Sequence, residues 1–290
     1  HVAFNNNDIP GVMTVNASKH YLNRYGVLTG KKIVIATNND SVYETANQLY
    51  EAGSKVTIID SRKKINIELP KDIQHYLNTV PFNINGKKNI ESLDVCQTND
   101  STKKNTIICD QVLISAGWSP IVNLVSHRGI KPIWNEDNLC FITGEIKENI
   151  TVVGSARGIW NLNDCENSGI VGANEALNKL GIHKKEITFP KVGGWVNPIE
   201  PLFEVKSKKF PSKSFVDFQH DVTVDDVRLA HREGFISVEH LKRYTTLGMA
   251  NDQGKMGNII GLSLMAELLE KTIPEVGTTV FRPPYTSISI

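Results

Sequence analysis

The sequence predicts an α/β protein in which a parallel sheet is followed by a small helical domain. Continuous apolar runs over residues 32–36 and 55–60 are typical of strands that are buried on both faces. Between them, residues 41–52 carry apolar side chains at helical spacing. From residue 215 onward the apolar side chains again recur at helical spacing, so helices should dominate that part.

The three elements between residues 32 and 60 predict a βαβ unit. Gly53 follows the predicted helix, where a glycine commonly ends one. A strand, a crossover helix and a parallel strand pack in a right-handed turn. Such a unit is half of a dinucleotide-binding sheet.

The turn after the first strand argues against a phosphate site there. Residues 37–41 contain no glycine, and Asp40 would place a carboxylate where a phosphate would bind. Asp40 or Ser41 is instead expected to cap the helix. Asp60 could accept a hydrogen bond from a ribose, but Arg62 leaves the choice between NAD and NADP open.

The middle of the chain predicts a β-meander and then a return to α/β structure. The predicted strands are 80–84, 90–96, 106–109, 111–116 and 150–154, with turns at 85–86 and 99–101, and a helix at 164–180. Gly169 and Gly172 should cost stability in that helix unless another segment packs closely against them.

Gly154, Ser155 and Gly158 lie in a small-residue turn between the last predicted strand and this helix. Small residues allow a ligand to approach the backbone, although a tight turn without a ligand explains them equally well. Arg157 could pair with a phosphate or be solvated.

The C-terminal part predicts a connector and three helices. Residues 184–214 contain four prolines and many lysines without periodicity. Thr223 or Asp221 should cap a helix through Arg232, Ser237 one through Thr246, and a third follows Asn258. The spacing of His220, His231 and His240 matches no metal-binding motif, so solvated helix faces are favoured and no metal site is predicted.

Composition excludes several classes of function. The 290 residues suggest about two domains. The 32 basic and 31 acidic side chains give a net charge of +1, which predicts no nucleic-acid partner, and no apolar run is long enough to predict a membrane span. Four widely spaced cysteines indicate buried thiols in a reducing cytoplasm. A chain that opens on His1 is expected to be a fragment.

The order of these elements resembles the two-dinucleotide-domain flavoproteins of the glutathione-reductase type. Longer motifs are similar to the α subunit of heterotetrameric sarcosine oxidase, including Asn-Asp-Ile-Pro-Gly-Val-Met at 7–13 and Gly-Trp-Ser-Pro at 117–120. The other similar stretches are 21–26, 37–41, 215–219, 228–235, 239–249, 252–255 and 273–286.

This resemblance implies a longer subunit with an upstream NAD-binding segment and a downstream tetrahydrofolate-binding domain like an aminomethyltransferase. In the family, sarcosine is oxidised to glycine with hydrogen peroxide and formaldehyde or methylene-tetrahydrofolate as products. FAD in the β subunit takes the hydride, FMN lies at the interface of α and β, and γ and δ subunits complete the complex. The catalytic site is therefore expected on the β subunit, and none is assigned to this chain.

The resemblance also divides the chain and suggests cofactor contacts. The expected parts are a connector (1–29), the second dinucleotide-type domain with its meander (30–120), the returning part of the first such domain (121–183), a linker (184–214), a helical domain (215–272) and the start of the folate domain (273–290). Gly154, Ser155 and Gly158 would line the NAD cavity. Arg243, Tyr244, Thr245 and Thr246 are candidates near FMN, since a basic, hydroxyl-rich helix end suits a phosphate or a flavin edge. A solvated Arg243 beside threonines that only end the helix remains an open alternative.

The related α subunits of opine oxidases and cyanide synthases hold a [2Fe-2S] cluster with four cysteines. Here Asp217, Gln219, Asp252 and Gly257 stand at those positions, and this set cannot supply the thiolates. That difference favours sarcosine oxidase. Two alternatives remain: a non-catalytic interaction module with a decayed nucleotide site, or the α subunit of a related flavin-dependent amine demethylase.

Overall fold

The computed structural model describes residues 1–146, 149–182, 197–206 and 213–280. They belong to two compact units, one formed by the described residues of His1–Gly117 and Asn197–Thr279, the other by the described residues of Trp118–Val196 together with Val280. Much of the predicted linker 184–214, and residues 281–290 of the expected folate domain, lie outside the described residues.

A five-stranded parallel sheet forms the centre of the first unit. Its strands are β1 (Val12–Thr14), β2 (Lys32–Thr37), β3 (Lys55–Asp60), β4 (Gln74–Tyr76) and β8 (Gln111–Ser115), in the order β1-β8-β2-β3-β4. Helices α1 (Val15–Tyr25) and α2 (Tyr43–Glu51) connect successive strands. The predicted βαβ unit and the α/β class are thus confirmed.

The two faces of this sheet are covered by different elements. Ile33 and Ile35 of β2 pack in one buried cluster with Leu49 of α2. Val34 and Ala36, which alternate with them, pack in a second cluster with residues of the meander. Both faces are buried, which explains why the strands carry continuous apolar runs.

The meander consists of the antiparallel strands β5 (Thr79–Gly86), β6 (Ile90–Gln97) and β7 (Asp100–Ile108). The sequence placed a turn at 99–101 and began the third strand only at residue 106, which was wrong. Strand β7 is an edge strand whose residues are mostly exposed, so it lacks the apolar alternation from which a strand is predicted. Strands β1 and β4 and helix α1 were not predicted, and both of those strands are three-residue edges.

The helical region belongs to the same compact unit as the sheet. It contains β11 (Phe215–Asp217), β12 (Val222–Thr223), α5 (Val224–Arg232), α6 (Val238–Thr245), α7 (Asn258–Leu268) and α8 (Ile273–Val276). Thr223 rather than Asp221 caps α5, in a capping box with Asp226, and Ser237 caps α6 as predicted. Asn7 joins this region to the chain's first residues, because its Oδ1 accepts from the Phe215 N–H at 2.8 Å.

The second unit contains α3 (Asn123–Ser126), β9 (Ile133–Asn135), β10 (Cys140–Ile142), a 3₁₀ turn at Gly154–Arg157 and α4 (Leu162–Lys179). The strand predicted at 150–154 was wrong: within residues 149–182, residues 151–153 pair with no strand. Instead this segment packs on α4, where a Cβ at Gly172 would lie 2.7 Å from Val153 Cγ1 and 3.1 Å from Thr151 Cγ2. A segment therefore packs closely against Gly172, which is the condition that the sequence analysis set for a glycine in this helix.

Candidate functional site

The sheet reverses its direction of growth between β2 and β8. From β2 the chain adds β3 on one side and later β8 on the other, so the carboxyl ends of β2 and β8 flank the switch point. Ligands of open α/β sheets generally bind in the crevice at such a point. Residues 37–41 and 115–117 form the switch-point crevice of this chain.

Short polar side chains in the crevice bond to one another. Asn39 Oδ1 accepts from the Ser41 N–H at 3.0 Å, and Asn39 Nδ2 donates to the Ser115 carbonyl at 3.1 Å. The Ser41 and Ser115 hydroxyl oxygens lie 3.0 Å apart. Asn39 is thus the residue that caps the 3₁₀ turn Asp40–Val42, and the prediction that Asp40 or Ser41 would cap the helix was wrong.

Asp40 is engaged in a buried ion cluster instead. The Arg62 guanidinium, 1% exposed, lies between two carboxylates: Nη1 is 2.8 Å from Asp40 Oδ1, and Nη2 is 2.8 Å from Asp60 Oδ2. Arg62 Nε also donates to Asp60 Oδ1 at 3.0 Å. Burial works to lower the pKa of Arg62, but the hydrogen bonds and charges of Asp60 and Asp40 outweigh it and raise that pKa above its ordinary value. Asp60 therefore binds Arg62 rather than presenting a free carboxylate to a ribose.

The cluster continues toward the edge of the sheet through Tyr43 and His75. The Tyr43 hydroxyl donates to Asp60 Oδ2 at 2.6 Å and lies 3.2 Å from His75 Nε2. Burial, followed by the charge of Asp60, raises the pKa of Tyr43, so the phenol stays protonated. Burial lowers the pKa of His75, partly opposed by Asp60, which favours the neutral ring.

A segment of the chain itself covers the crevice. This strap, residues 197–200, is held mainly through its backbone: the Asn197 N–H donates to Asp40 Oδ2 at 2.9 Å, and the Pro198 carbonyl accepts from Arg62 Nη1 at 3.1 Å. Glu200 makes two bonds to Asn38, one from its N–H to the Asn38 carbonyl at 3.3 Å and one from Asn38 Nδ2 to its carbonyl at 2.6 Å.

A dinucleotide does not fit this crevice. The turn 37–41 has no glycine to bring backbone amides up to a pyrophosphate, and Asp40 would oppose a phosphate with a carboxylate. The polar groups of Asn38, Asp40 and Arg62 are already bonded to the strap. The bonds to the strap therefore give a physical reason for the sequence-based argument against a phosphate site at this turn.

The four candidates near FMN lie together at the end of α6. Arg243 and Tyr244 are exposed, and the Tyr244 hydroxyl donates to Glu233 Oε2 at 2.6 Å. Thr245 Oγ1 donates to the Leu241 carbonyl at 2.8 Å, and Thr246 ends the helix in a left-handed conformation with φ 63°. The threonine hydroxyls are thus bonded to their own helix end, and Arg243 is the exposed cation of the group.

Gly154 and Ser155 lie in the 3₁₀ turn of the second unit, and Gly158 directly follows that turn. The Gly154 N–H donates to Ser168 Oγ at 2.8 Å, and Ser155 is exposed. Gly158 has φ 86°, and a Cβ there would lie 2.9 Å from Ile142 Cγ2. Backbone conformation and packing account for the glycines, while Ser155 faces solvent.

Two carboxylates, those of Asp217 and Asp252, hold turns in the helical region. Asp217 Oδ1 accepts from the Gln219 N–H at 2.9 Å, and Asp217 Oδ2 accepts from the Gly248 N–H at 3.1 Å. Asp252 likewise accepts from the Gly254 and Met256 N–H groups. Among the described residues, no group of three or more His, Cys, Asp or Glu side chains is placed to hold a metal ion.

Sequence reasoning missed the strap and the role of Arg62. Prolines and lysines around residues 197–200 suggested only a connector, and Arg62 was weighed only for its effect on the choice between NAD and NADP. The one available signal was the acidic residue at the end of β3 followed two positions later by an arginine, which allows the two side chains to pair. That local pairing does not reveal Asp40 or the strap, which lie 22 and more than 130 residues away.

Comparison with known proteins finds sequences that are similar to this chain. A family model described as the sarcosine oxidase A3 domain matches residues 211–290. The sarcosine oxidase subunit alpha of Rhizobium meliloti is 36% identical over 99% of this chain, and that of Corynebacterium sp. strain U-96 is 30% identical over 99%. The chain is thus similar to sarcosine oxidase alpha subunits over nearly its whole length. It spans only 29% and 31% of the length of these two subunits.

The fold is shared with a solved structure as well. The crystal structure of L-proline dehydrogenase from P. horikoshii aligns with all of this chain and with 55% of its own, at a TM-score of 0.71 and 17% identity. At that identity the likeness concerns the fold. The expected resemblance to sarcosine oxidase alpha subunits is confirmed.

Proposed function

We propose that this sarcosine oxidase relative acts as a scaffold within an α subunit that supports the oxidative demethylation of sarcosine. The supporting observation is the 36% identity to a sarcosine oxidase subunit alpha over nearly the whole chain. The closed switch-point crevice agrees with a scaffold role, because residues 37–41 are bonded to the strap rather than open to a substrate.

In this proposal the amine is oxidised elsewhere in the complex. FAD in a β subunit would accept the hydride from sarcosine, and FMN at the interface of α and β would pass electrons to oxygen. Glycine, hydrogen peroxide, and formaldehyde or methylene-tetrahydrofolate are the proposed products, with tetrahydrofolate bound by another domain of the α subunit. Partner γ and δ subunits complete the assembly.

The cellular location is part of the same proposal. Three of the four cysteines are buried and all four are free thiols, which suits a reducing cytoplasm. In the described parts of the chain, no helix is both long and apolar enough to span a bilayer.

Arg243 is the residue proposed to face FMN most directly. Its exposed guanidinium at the end of α6 could pair with the flavin phosphate, with Tyr244, Thr245 and Thr246 beside it. NAD is proposed to be bound by the α subunit with Gly154, Ser155 and Gly158 along its cavity.

The test uses the complete polypeptide that carries this sequence, purified with its associated subunits. Sarcosine-dependent hydrogen peroxide formation and the FMN content are measured for the wild type, for Arg243→Ala and for the control Lys242→Ala, which removes a neighbouring cation. Loss of a charge-assisted hydrogen bond should weaken FMN retention about tenfold or more in Arg243→Ala only. Full FMN retention in Arg243→Ala would remove this residue from the site, and a wild-type complex without sarcosine oxidation would refute the proposed function.

A non-catalytic interaction module is the second candidate, and the closed crevice favours it too. The two candidates differ in flavin content and in activity of the complete complex. An α subunit of a related amine demethylase would differ in substrate instead, so a panel of N-methylated amines in the same assay separates it from sarcosine oxidase.

A further inference from the structure

The switch-point crevice has the polar complementarity of a peptide-binding site. Two crevice side chains and the adjacent Arg62 bond to the strap's backbone: Asp40 accepts from the Asn197 N–H, Asn38 donates to the Glu200 carbonyl and Arg62 donates to the Pro198 carbonyl. Asn38 and Arg62 are fully or almost fully buried. Buried polar groups that lost these partners would be costly to leave unpaired.

Apolar packing completes the recognition at the end of β8. Gly117 has φ 119°, and a Cβ there would lie 3.2 Å from Ile199 Cδ1. The glycine thus leaves space for the Ile199 side chain beside the strand end. In a dinucleotide-binding sheet, a glycine near a strand end gives a cofactor that kind of close approach.

One strap side chain is also recognised by polar contacts. Asn197 Nδ2 lies 3.2 Å from Asp40 Oδ2, and its Oδ1 accepts from the Asn66 N–H at 3.1 Å. The strap is therefore fixed by its backbone at three residues, by the Asn197 amide and by Ile199.

We propose that the switch-point crevice is a peptide-binding site that recognises the chain's own strap, residues 197–200, and that the strap excludes nucleotides from it. Asn38, Asp40 and Arg62 are positioning residues for the strap. The residues that follow the strap bond to the first residues of the chain, since the Val205 N–H donates to the Ala3 carbonyl at 2.8 Å. The crevice therefore anchors the segment that leads into the helical region.

Hydrogen exchange at individual amides of the complete polypeptide tests this site. The Asn197 and Glu200 amides should be protected in the wild type. In Asn38→Ala the Glu200 amide should exchange about tenfold faster or more, with the amides of residues 33–36 unchanged. In Asp40→Ala, which also removes a partner of the buried Arg62, exchange at the Asn197 amide should rise by a larger factor than exchange at residues 33–36. The matched control is Asn23→Ala, which removes an exposed asparagine bonded to Gln48 and should leave the strap protected.

A variant on the strap keeps the test decisive if a crevice variant fails to fold. Asn197→Ala removes the half-buried amide that contacts Asp40 and Asn66. We expect faster exchange at residues 197–200 in this variant, with an unchanged sheet. Wild-type protection of the strap in Asn197→Ala and in every crevice variant that folds would overturn the proposal.

Hydrogen exchange of the wild type with added NAD tests whether the strap excludes nucleotides. The proposal expects unchanged exchange at residues 37–41 and 197–200 even where NAD binds elsewhere on the polypeptide. Slower exchange at 37–41 together with release of the strap would show a nucleotide displacing it, and would overturn the exclusion. The strap would keep its place whichever reaction the complex catalyses, so these outcomes are separate from loss of sarcosine oxidation or of FMN.

Discussion

At the residue scale, the closed crevice depends on the buried guanidinium of Arg62. It joins Asp40, which holds the strap, to Asp60, which ends β3. Removing one partner from a buried ionic cluster leaves the other charges uncompensated, which costs far more than losing an exposed pair. The strength of the crevice should therefore be measurable at this single side chain.

Arg62→Gln should lower the free energy of unfolding of the first unit by about 3 to 5 kcal/mol. The measurement is denaturant-dependent hydrogen exchange of the β2 and β3 amides in the complete polypeptide. Lys19→Gln is the control, because the Lys19–Glu44 pair at 3.4 Å is exposed and should contribute less than about 1 kcal/mol. Equal effects of the two substitutions would show that the cluster contributes no more than a surface pair.

His75 should make the first unit sensitive to mild acid. Burial lowers its pKa in the folded state, below the 6.5 of an unperturbed histidine, despite the charge of Asp60. As the pH falls below about 6.5 the unfolded chain takes up the proton more readily, so the free energy of unfolding decreases until the pH lies below the folded-state pKa. Arg62 and Tyr43, the other groups facing the ring, do not titrate in this range.

His75→Gln should flatten this part of the pH profile. The free energy of unfolding, measured by the same exchange experiment between about pH 7 and about pH 5, should fall less in the variant than in the wild type. His20→Gln, which alters an exposed histidine on α1, is the control for replacing a histidine by glutamine. Parallel profiles for the wild type and His75→Gln would contradict the assignment.

At the scale of elements, helix α4 contains two glycines in different surroundings. A Cβ at Gly169 would meet no atom within 4 Å, whereas a Cβ at Gly172 would lie 2.7 Å from Val153 Cγ1. Gly169→Ala should therefore stabilise the helix by about 0.5 to 1 kcal/mol. Gly172→Ala should be at least about 1 kcal/mol less favourable than Gly169→Ala, because its methyl group displaces the packed segment. Exchange of the α4 amides measures both, and equal effects would contradict the close packing.

The sequence predicted those elements whose own residues show an apolar run or a capping motif. The strands β2 and β3 are continuous apolar runs buried on both faces, and the caps Thr223 and Ser237 are read from short polar motifs. Exposed β7 and the short edges β1 and β4 lack such a signal. The segment 150–154 has an apolar run, but it packs on Gly172 rather than in a sheet, a tertiary contact that its own sequence does not encode.

For the candidate site, the sequence predicted only that a phosphate would not bind at the turn after β2. The absence of glycine from residues 37–41 and the presence of Asp40 indicated that a phosphate would not bind there. What binds instead lies more than 150 residues away, since Asn197 and Glu200 reach Asp40 and Asn38 only in the folded chain. A contact of that kind depends on topology and leaves no local pattern.

At the scale of the whole molecule, a dinucleotide-type sheet is joined to a helical region that matches the sarcosine oxidase A3 domain. Both belong to one compact unit, and the strap connects the crevice of the sheet to the backbone that leads into the helices. The sheet and the helical region are thus linked through the strap, which agrees with the proposed scaffold role.

The most direct test is an experimental structure of the complete polypeptide, determined in the presence of NAD. Asn197 and Glu200 should remain bonded to Asp40 and Asn38, and no nucleotide should contact residues 37–41. A pyrophosphate bound against residues 37–41, with the strap displaced, would contradict the proposed exclusion.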